Sequence, residues 1–311
     1  MLPLLVILGP TAVGKTAVAV KVARRLQGEI ISADSMQVYR HLDIGTAKPT
    51  RAEQQGVPHH LLDVVDPDEE FNVARFQAEV NATIPQIAAR GHLSLLVGGT
   101  GLYIRAVVDN YAFGPGGRNP TLRAALQAQA AKVGSAALHA ELARVDPEAA
   151  ARIHPADTRR IIRALEVKTT TGRAISQSGR GLPLYRTLQI GLIRDRARLY
   201  AAIDARVDKM LAGGLVEETK WLLEQGYPET LPAFQALGYK ELIPYLRGLL
   251  TLEEAARILK QQTRRFAKRQ LTWFRRDRRI IWLNRDNFTS EEALVEEITA
   301  LAEGKLLQHH E

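Results

Sequence analysis

Gly9-Pro10-Thr11-Ala12-Val13-Gly14-Lys15-Thr16 follows the apolar run Leu4 to Leu8 and precedes a helical pattern from Thr16 to Leu26. The order strand, GxxxxGK[ST] loop, helix is the setting in which this loop wraps a phosphate. The glycines let consecutive peptide N–H groups converge on one anion, helped by the helix N-terminus. Lys15 adds a mobile cation and Thr16 a hydroxyl suited to Mg²⁺. A phosphate or diphosphate ligand is expected on Gly9 to Thr16, and a parallel α/β fold around it.

Four further apolar runs read as buried strands: Glu29 to Ser32, Leu93 to Val97, Leu188 to Ile193 and Arg279 to Leu283. Helical patterns separate most of them, which predicts a P-loop parallel sheet core covered by helices. The spacing breaks between Val97 and Leu188, a stretch rich in Ala, Arg, Gln and Glu that opens after Phe113-Gly114-Pro115-Gly116-Gly117. Helices are expected over Thr121 to Lys132, Ser135 to Arg144 and Asp157 to Thr170, with Asp157 as N-cap and Gly172 as the stop. The division expected is core 1–113, helical insertion 114–185 and core 186–311.

Composition narrows the function. The 311 residues contain no cysteine, which excludes disulfides, thiolate catalysis and Cys-based zinc sites and fits a reducing, cytoplasmic setting. The pairs His59-His60 and His309-His310 lack metal-ligand spacing, and no apolar run suits a membrane span. Net charge is +8, yet Arg264 to Arg279 alone contributes +7 through Arg264, Arg265, Lys268, Arg269, Arg275, Arg276, Arg278 and Arg279 against Asp277. With few acids nearby, such a local excess on an amphipathic helix (Thr251 to Phe274) points to a phosphate backbone as partner. Its apolar side is read as Leu252, Ala256, Leu259, Phe266 and Phe274, with Trp273 as a core anchor.

An ATPase would carry an acid after a later core strand to hold the Mg²⁺ shell. Here Gly98-Gly99-Thr100-Gly101-Leu102-Tyr103 follows Val97, as would suit close approach by a substrate. The second strand ends instead in Asp34, followed by Ser35, Met36 and Gln37, where parallel sheets carry ligands. Asp34 could serve as general base, as outer-shell Mg²⁺ ligand, or as a capping residue at the turn.

These motifs together resemble the tRNA dimethylallyltransferase (isopentenyl-tRNA transferase) family of the bacterial type. The resemblance runs from Leu4 to about Leu283 and comprises GPTAVGKT at 9–16, SADSMQVYRHLDIGTAKP at 32–49, PHHLLD at 58–63 and VGGTGLY at 97–103. RRIIRALEV at 159–167, LGYKE at 237–241 and AKRQLTWFRRD at 267–277 complete it. It implies transfer of dimethylallyl from its diphosphate to the 6-amino group of the adenosine 3′ to the anticodon, in tRNAs reading codons that begin with U.

By the same resemblance, donor diphosphate replaces ATP on the phosphate loop and Asp34 is the general base. Thr16 positions Mg²⁺, while Lys15 and Arg163 neutralise the departing pyrophosphate. Contact with tRNA is implied for Asp34, Ser35, Met36, Gln37, Thr100, Arg123, Arg159, Arg160, Ile161, Ile162 and Arg163. It is implied too for Gln235, Gly238, Tyr239, Lys240, Lys268, Arg269 and Arg275. Relatives often have Gln where this chain has Arg159, so that contact differs in kind, and without cysteine the chain lacks the zinc-finger tail of eukaryotic relatives. The expected partners are the tRNA anticodon stem-loop and dimethylallyl diphosphate, with Mg²⁺ as cofactor, no membrane and a monomeric enzyme. The competing readings are a small-molecule P-loop kinase, an adenylate prenyltransferase using free nucleotide, and a non-enzymatic RNA-binding module. The basic helix and Gly98 speak against the first, and the phosphate loop against the last.

Overall fold

Strand order places the chemistry before any side chain is considered. The computed structural model describes residues 1–113, 119–177 and 179–307; Gly114 to Gly117 of the expected breaker and the His309-His310 pair lie outside them. Among the described residues the strands are β1 (Leu2–Leu8), β2 (Gly28–Ala33), β3 (His59–His60), β4 (Leu93–Gly98), β5 (Tyr185–Ile193) and β6 (Ile280–Asn284). They form one parallel sheet in the order β3-β2-β4-β1-β5-β6. Leu4 to Leu8 and Leu95 to Leu96 are fully buried, as a sheet covered on both faces requires. The five expected strands are present, each extended by a residue or more except β6, which starts one residue later. The short edge strand β3 is added, since two residues carry no readable alternation.

The helices are α1 (Lys15–Arg25), α2 (Arg51–Gln54), α3 (Val73–Ala89), α4 (Gly101–Val108), α5 (Pro120–Val133), α6 (Ser135–Val145) and α7 (Pro147–Arg152). They continue with α8 (Thr158–Thr171), α9 (Arg196–Ala212), α10 (Leu215–Glu224), α11 (Tyr239–Leu246), α12 (Leu252–Phe274) and α13 (Glu291–Ala302).

Two compact units emerge: residues 1–108 with 183–311, and residues 109–182. The second begins five residues before the glycine-rich breaker, because Asp109 pairs with Arg180 and Asn110 donates to the carbonyl of Leu182. Within it α5, α6, α7 and α8 enclose a small core of Leu126, Leu138, Leu142, Ile161 and Leu165. Asp157 caps α8 by accepting the N–H of Arg160, and Gly172 ends it at φ 70°.

α12 buries Ala255, Leu259, Thr263, Ala267, Gln270 and Phe274, a stripe at spacings of three and four. The expected apolar side is therefore shifted: Leu252 is exposed and Phe266 only partly buried, while two polar residues enter the core.

At the N-terminal end of the sheet a second cluster forms. Glu29, only 2% exposed, accepts from Arg90 Nε at 2.8 Å and Nη2 at 2.7 Å, and contacts His60 at 2.6 Å and His92 at 2.8 Å. Arg90 above all holds its pKa down to about 2, against the opposing effect of burial, with His60 and His92 adding to the lowering. His60 thus serves the fold.

Candidate active site

Gly9 to Thr16 curl between β1 and α1 as the sequence requires. Gly9 and Gly14 have φ of 150° and 91°, and Ala12 adopts a positive φ of 61°. A Cβ on Gly9 would lie 2.5 Å from the carbonyl oxygen of Leu192, and one on Gly14 only 1.8 Å from Arg285 Nη1. Gly9 is needed for close approach to the Leu192 backbone as well as for its φ, whereas Gly14 is needed for its backbone conformation, the Arg285 tip being able to shift.

Lys15 Nζ donates to the carbonyls of Gly9 and Pro10 at 3.0 and 2.8 Å, so the lysine is folded onto its own loop. Although Lys15 as a residue is only partly buried, its ammonium is desolvated there. Burial first, then the charge of Arg206, lower its pKa to about 7, with Asp34 pulling the other way. Thr16 is exposed.

Asp34 follows β2 directly. One carboxylate oxygen accepts the N–H of Met36 at 2.9 Å, and no helix follows, so the capping alternative becomes a local turn rather than a helix cap. The other oxygen has no hydrogen-bond partner among the described residues. Thr100, after β4, accepts the N–H of Ser35 at 3.1 Å. Since β4 separates β2 from β1, Thr100 links the Asp34 turn to the rim carrying the phosphate loop. Gln37 is spent inside the protein: it donates to the carbonyls of Thr46 and Ala47 and accepts from Ser32 Oγ.

The glycines at the end of β4 and just after it are required by packing within the protein. A Cβ on Gly98 would meet the Ala33 carbonyl at 2.2 Å, on Gly99 the Gln270 amide at 2.3 Å, and on Gly101 the Trp273 ring at 2.2 Å. On the side a Cβ would occupy, these glycines let β4 and the turn after it pack closely against β2 and α12.

A cleft of about 690 Å³ opens beside the phosphate loop. Its walls include Gly14, Lys15 and Thr16, the loop Asp43 to Thr50, and Arg206, Lys209 and Met210 of α9. Arg206 is the cation that sequence reading missed. It acts electrostatically on both Lys15 and Asp34, and burial lowers its own pKa while Asp34 and Glu53 oppose that. α9 has no local motif; the only available signal was Arg206 and Lys209 one turn apart on an amphipathic helix.

Other expected residues fall into two groups. Gln235, Lys240, Lys268, Arg269 and Arg275 are exposed, as contact with a large partner needs. So are Arg265, Arg276 and Arg278, and none of the basic side chains 265, 268, 269, 275, 276 and 278 forms an ion pair among the described residues. The charge excess is smaller than the sequence suggests by one, because Arg264 pairs with Asp204 from outside the window; the pairing of Arg279 with Asp277 was already counted. Trp273 is partly buried against the core.

Four expectations of RNA contact are corrected. Ile161 and Ile162 are 0% and 5% exposed, on the inner face of α8. Tyr239 is fully buried with its hydroxyl on Glu218, and Gly238 is buried with its N–H on Glu241. These residues build the elements that carry their exposed neighbours.

Within the helical unit, Arg159 and Arg160 are exposed, the latter 3.4 Å from Asp157. Arg123 forks onto the fully buried Glu166 through two bonds of 2.8 Å, and Arg163 donates to the same carboxylate at 2.7 Å. Burial would raise the pKa of Glu166, but Arg123, the Asn119 N–H and Arg163 bring it down to about 2. Both arginines are half-spent in holding Glu166.

The chain matches the family described as IPP transferase over residues 37–277, and that described as isopentenyl transferase over 2–69. It is 56% identical over 307 residues to a tRNA dimethylallyltransferase of Symbiobacterium thermophilum, covering 98% of this chain and 96% of the relative. A Pelotomaculum thermopropionicum protein of the same description is 52% identical, with 98% of each chain covered. Among solved structures, the tRNA isopentenylpyrophosphate transferase of Bacillus halodurans superimposes with a TM-score of 0.75 at 46% identity, covering 99% and 97% of the two chains. A eukaryotic dimethylallyltransferase acting on tRNA gives 0.81 at 28% identity, over 97% of this chain and 78% of the other.

Proposed function

Because the chain belongs to the tRNA dimethylallyltransferase family, a group of prenyltransferases that modify tRNA, we propose that the cleft beside Lys15 is the seat of dimethylallyl diphosphate. One observation carries this reading. The phosphate loop, Arg206 and Lys209 line one cleft together with the apolar side chains of Ile44 and Met210. A diphosphate and a short hydrocarbon need that pairing of cations with apolar wall.

The adenine amine is a weak nucleophile, so the donor's C1–O bond must weaken as the N6–C1 bond forms. Negative charge grows on the pyrophosphate oxygens, where loop N–H groups, Lys15 and Arg206 meet it. The proton released from N6 passes to the open oxygen of Asp34. Mg²⁺ suits this site as a companion of the diphosphate: the protein offers the exposed hydroxyl of Thr16, and no group of three acidic, His or Cys side chains that could hold a metal ion is present among the described residues. When bound, the ion would supply further neutralisation of the leaving group.

The acceptor is the adenosine 3′ to the anticodon in tRNAs reading U-initial codons. It must leave its stack to be reached, as bases acted on by enzymes generally must. Lys268, Arg269 and Arg275, with Arg159 and Arg160 on the helical unit, supply phosphate contacts. The enzyme works as a cytoplasmic monomer; no helix among the described residues is long and apolar enough to cross a membrane. The test is to follow radiolabel from dimethylallyl diphosphate into an anticodon stem-loop and into free AMP. Efficient labelling of the stem-loop alone supports the reading, and equal labelling of AMP overturns it.

A further inference from the structure

The far wall of the cleft is a loop, Asp43 to Thr50, and an unusual amount of hydrogen bonding is invested in holding it still. Glu218 of α10 accepts three successive peptide N–H groups, those of Asp43 at 3.0 Å, Ile44 at 2.8 Å and Gly45 at 3.0 Å. The Tyr239 hydroxyl donates to the same carboxylate at 2.6 Å. Gly45 lies so close to that ring that a Cβ would fall 2.5 Å from it. Lys48, whose side chain is 6% exposed, ties the loop to itself through Asp43 and to its surroundings through Asp63 and the Tyr39 carbonyl. Gln37 holds the carbonyls of Thr46 and Ala47.

Three converging N–H groups on one carboxylate form an anion nest filled from within the protein. The middle one belongs to Ile44, whose side chain lines the cleft along with Met210. Ile44 packs in turn over Gly214, where a Cβ would lie 3.6 Å from its Cδ1. Glu218 itself is absent from the cleft lining and acts through the loop.

We propose that Glu218, braced by Tyr239, is a positioning residue that fixes the 43–50 wall and thereby sets the length of allylic chain the cleft accepts. The inference rests on the seating of the donor in this cleft. With the wall held, Ile44 bounds the hydrocarbon end; with it released, the cleft deepens and grips a five-carbon chain less well.

The experiment compares dimethylallyl and geranyl diphosphates, five and ten carbons long, as donors to a stem-loop with wild type, Glu218→Ala and Tyr239→Phe. Glu218→Ala raises the dimethylallyl KM roughly tenfold, within the range a lost coupling of this kind produces. Its kcat falls far less, and the ratio of ten- to five-carbon use rises. Inorganic pyrophosphate inhibits with a nearly unchanged constant, since the phosphate loop is untouched. Tyr239→Phe removes one of four bonds and moves the same quantities by a smaller factor. If Glu218→Ala does not fold, Tyr239→Phe and Gly45→Ala carry the test. Wild-type KM and chain-length ratio in folded variants would overturn the proposal. Lys15→Ala separates the two readings: if it spares donor KM, the seating of the donor is wrong; if it raises KM while Glu218→Ala and Tyr239→Phe do not, only the role of Glu218 falls.

Discussion

Gln270 and Thr11, 259 residues apart, are joined by a bond of 2.9 Å from the Thr11 N–H to the Gln270 side-chain oxygen. The amide nitrogen of Gln270 donates in turn to the Gly99 carbonyl, also at 2.9 Å. The helix whose outer face is basic therefore braces the phosphate loop with its inner face.

Breaking that brace should be felt by the donor. A buried hydrogen-bond partner left alone costs about 1–3 kcal/mol. Gln270→Leu is expected to raise the donor KM several-fold or more while leaving the salt dependence of RNA binding as in wild type. Steady-state kinetics beside filter binding will check it.

Lys15 carries a proton-linked prediction. Burial lowers its pKa to about 7, so it is largely neutral at pH 8. A bound diphosphate favours the charged form, so binding takes up a proton, approaching one per site at pH 8 and fading below pH 6. Calorimetry of pyrophosphate binding in buffers of different ionisation heat reads this directly. Lys15→Ala should abolish the uptake and weaken the donor while tRNA affinity survives.

Asp34→Asn keeps the turn at Met36 and removes the base. Turnover should fall by about 10²–10⁴ with RNA affinity little changed. Near-normal turnover would reduce Asp34 to its part in the turn.

Arg275 and Arg276 are exposed and unpaired among the described residues. Each phosphate contact on single-stranded RNA contributes a slope of roughly −0.7 in the log–log dependence of affinity on salt. Arg275→Ala or Arg276→Ala should flatten that slope by somewhat under one and weaken all tRNAs alike, since phosphate contacts position without reading sequence.

Glu29 sets an acid limit on stability. Its pKa lies near 2 in the folded protein, against 4.5 for an unpaired Glu, so its contribution is present above pH 4.5 and is lost as pH falls towards 2. The linkage amounts to roughly 3 kcal/mol. Urea unfolding should show Glu29→Gln less stable than wild type at pH 7, with the gap narrowing towards pH 3.

Sequence revealed what is local. GxxxxGKT, the caps of α8 and the run of buried strands are written in consecutive residues, and the structure has them there. What depends on distant partners was hidden. Gly98, Gly99 and Gly101 show only as small residues in the sequence, whereas the fold sets Ala33, Gln270 and Trp273 where their side chains would be. Ile161 and Ile162 sit inside a motif of exposed arginines, and only the helical period separates the two faces. Arg206 needed the fold to bring α9 beside the phosphate loop.

Because every strand runs the same way, the sheet has two ends with separate duties. The phosphate loop, Asp34 and Thr100 gather where strands finish; Glu29, Arg90, His60 and His92 knit the end where they begin. Changes at sites with no shared partners add nearly independently. A lineage of this enzyme can therefore bank tolerance at one end, through tighter ion pairing around Glu29, and draw on it for destabilising experiments in substrate choice at the other. The fold is in this sense partitioned: substitutions around Glu29 are expected to change stability while leaving donor preference to the opposite end of the sheet.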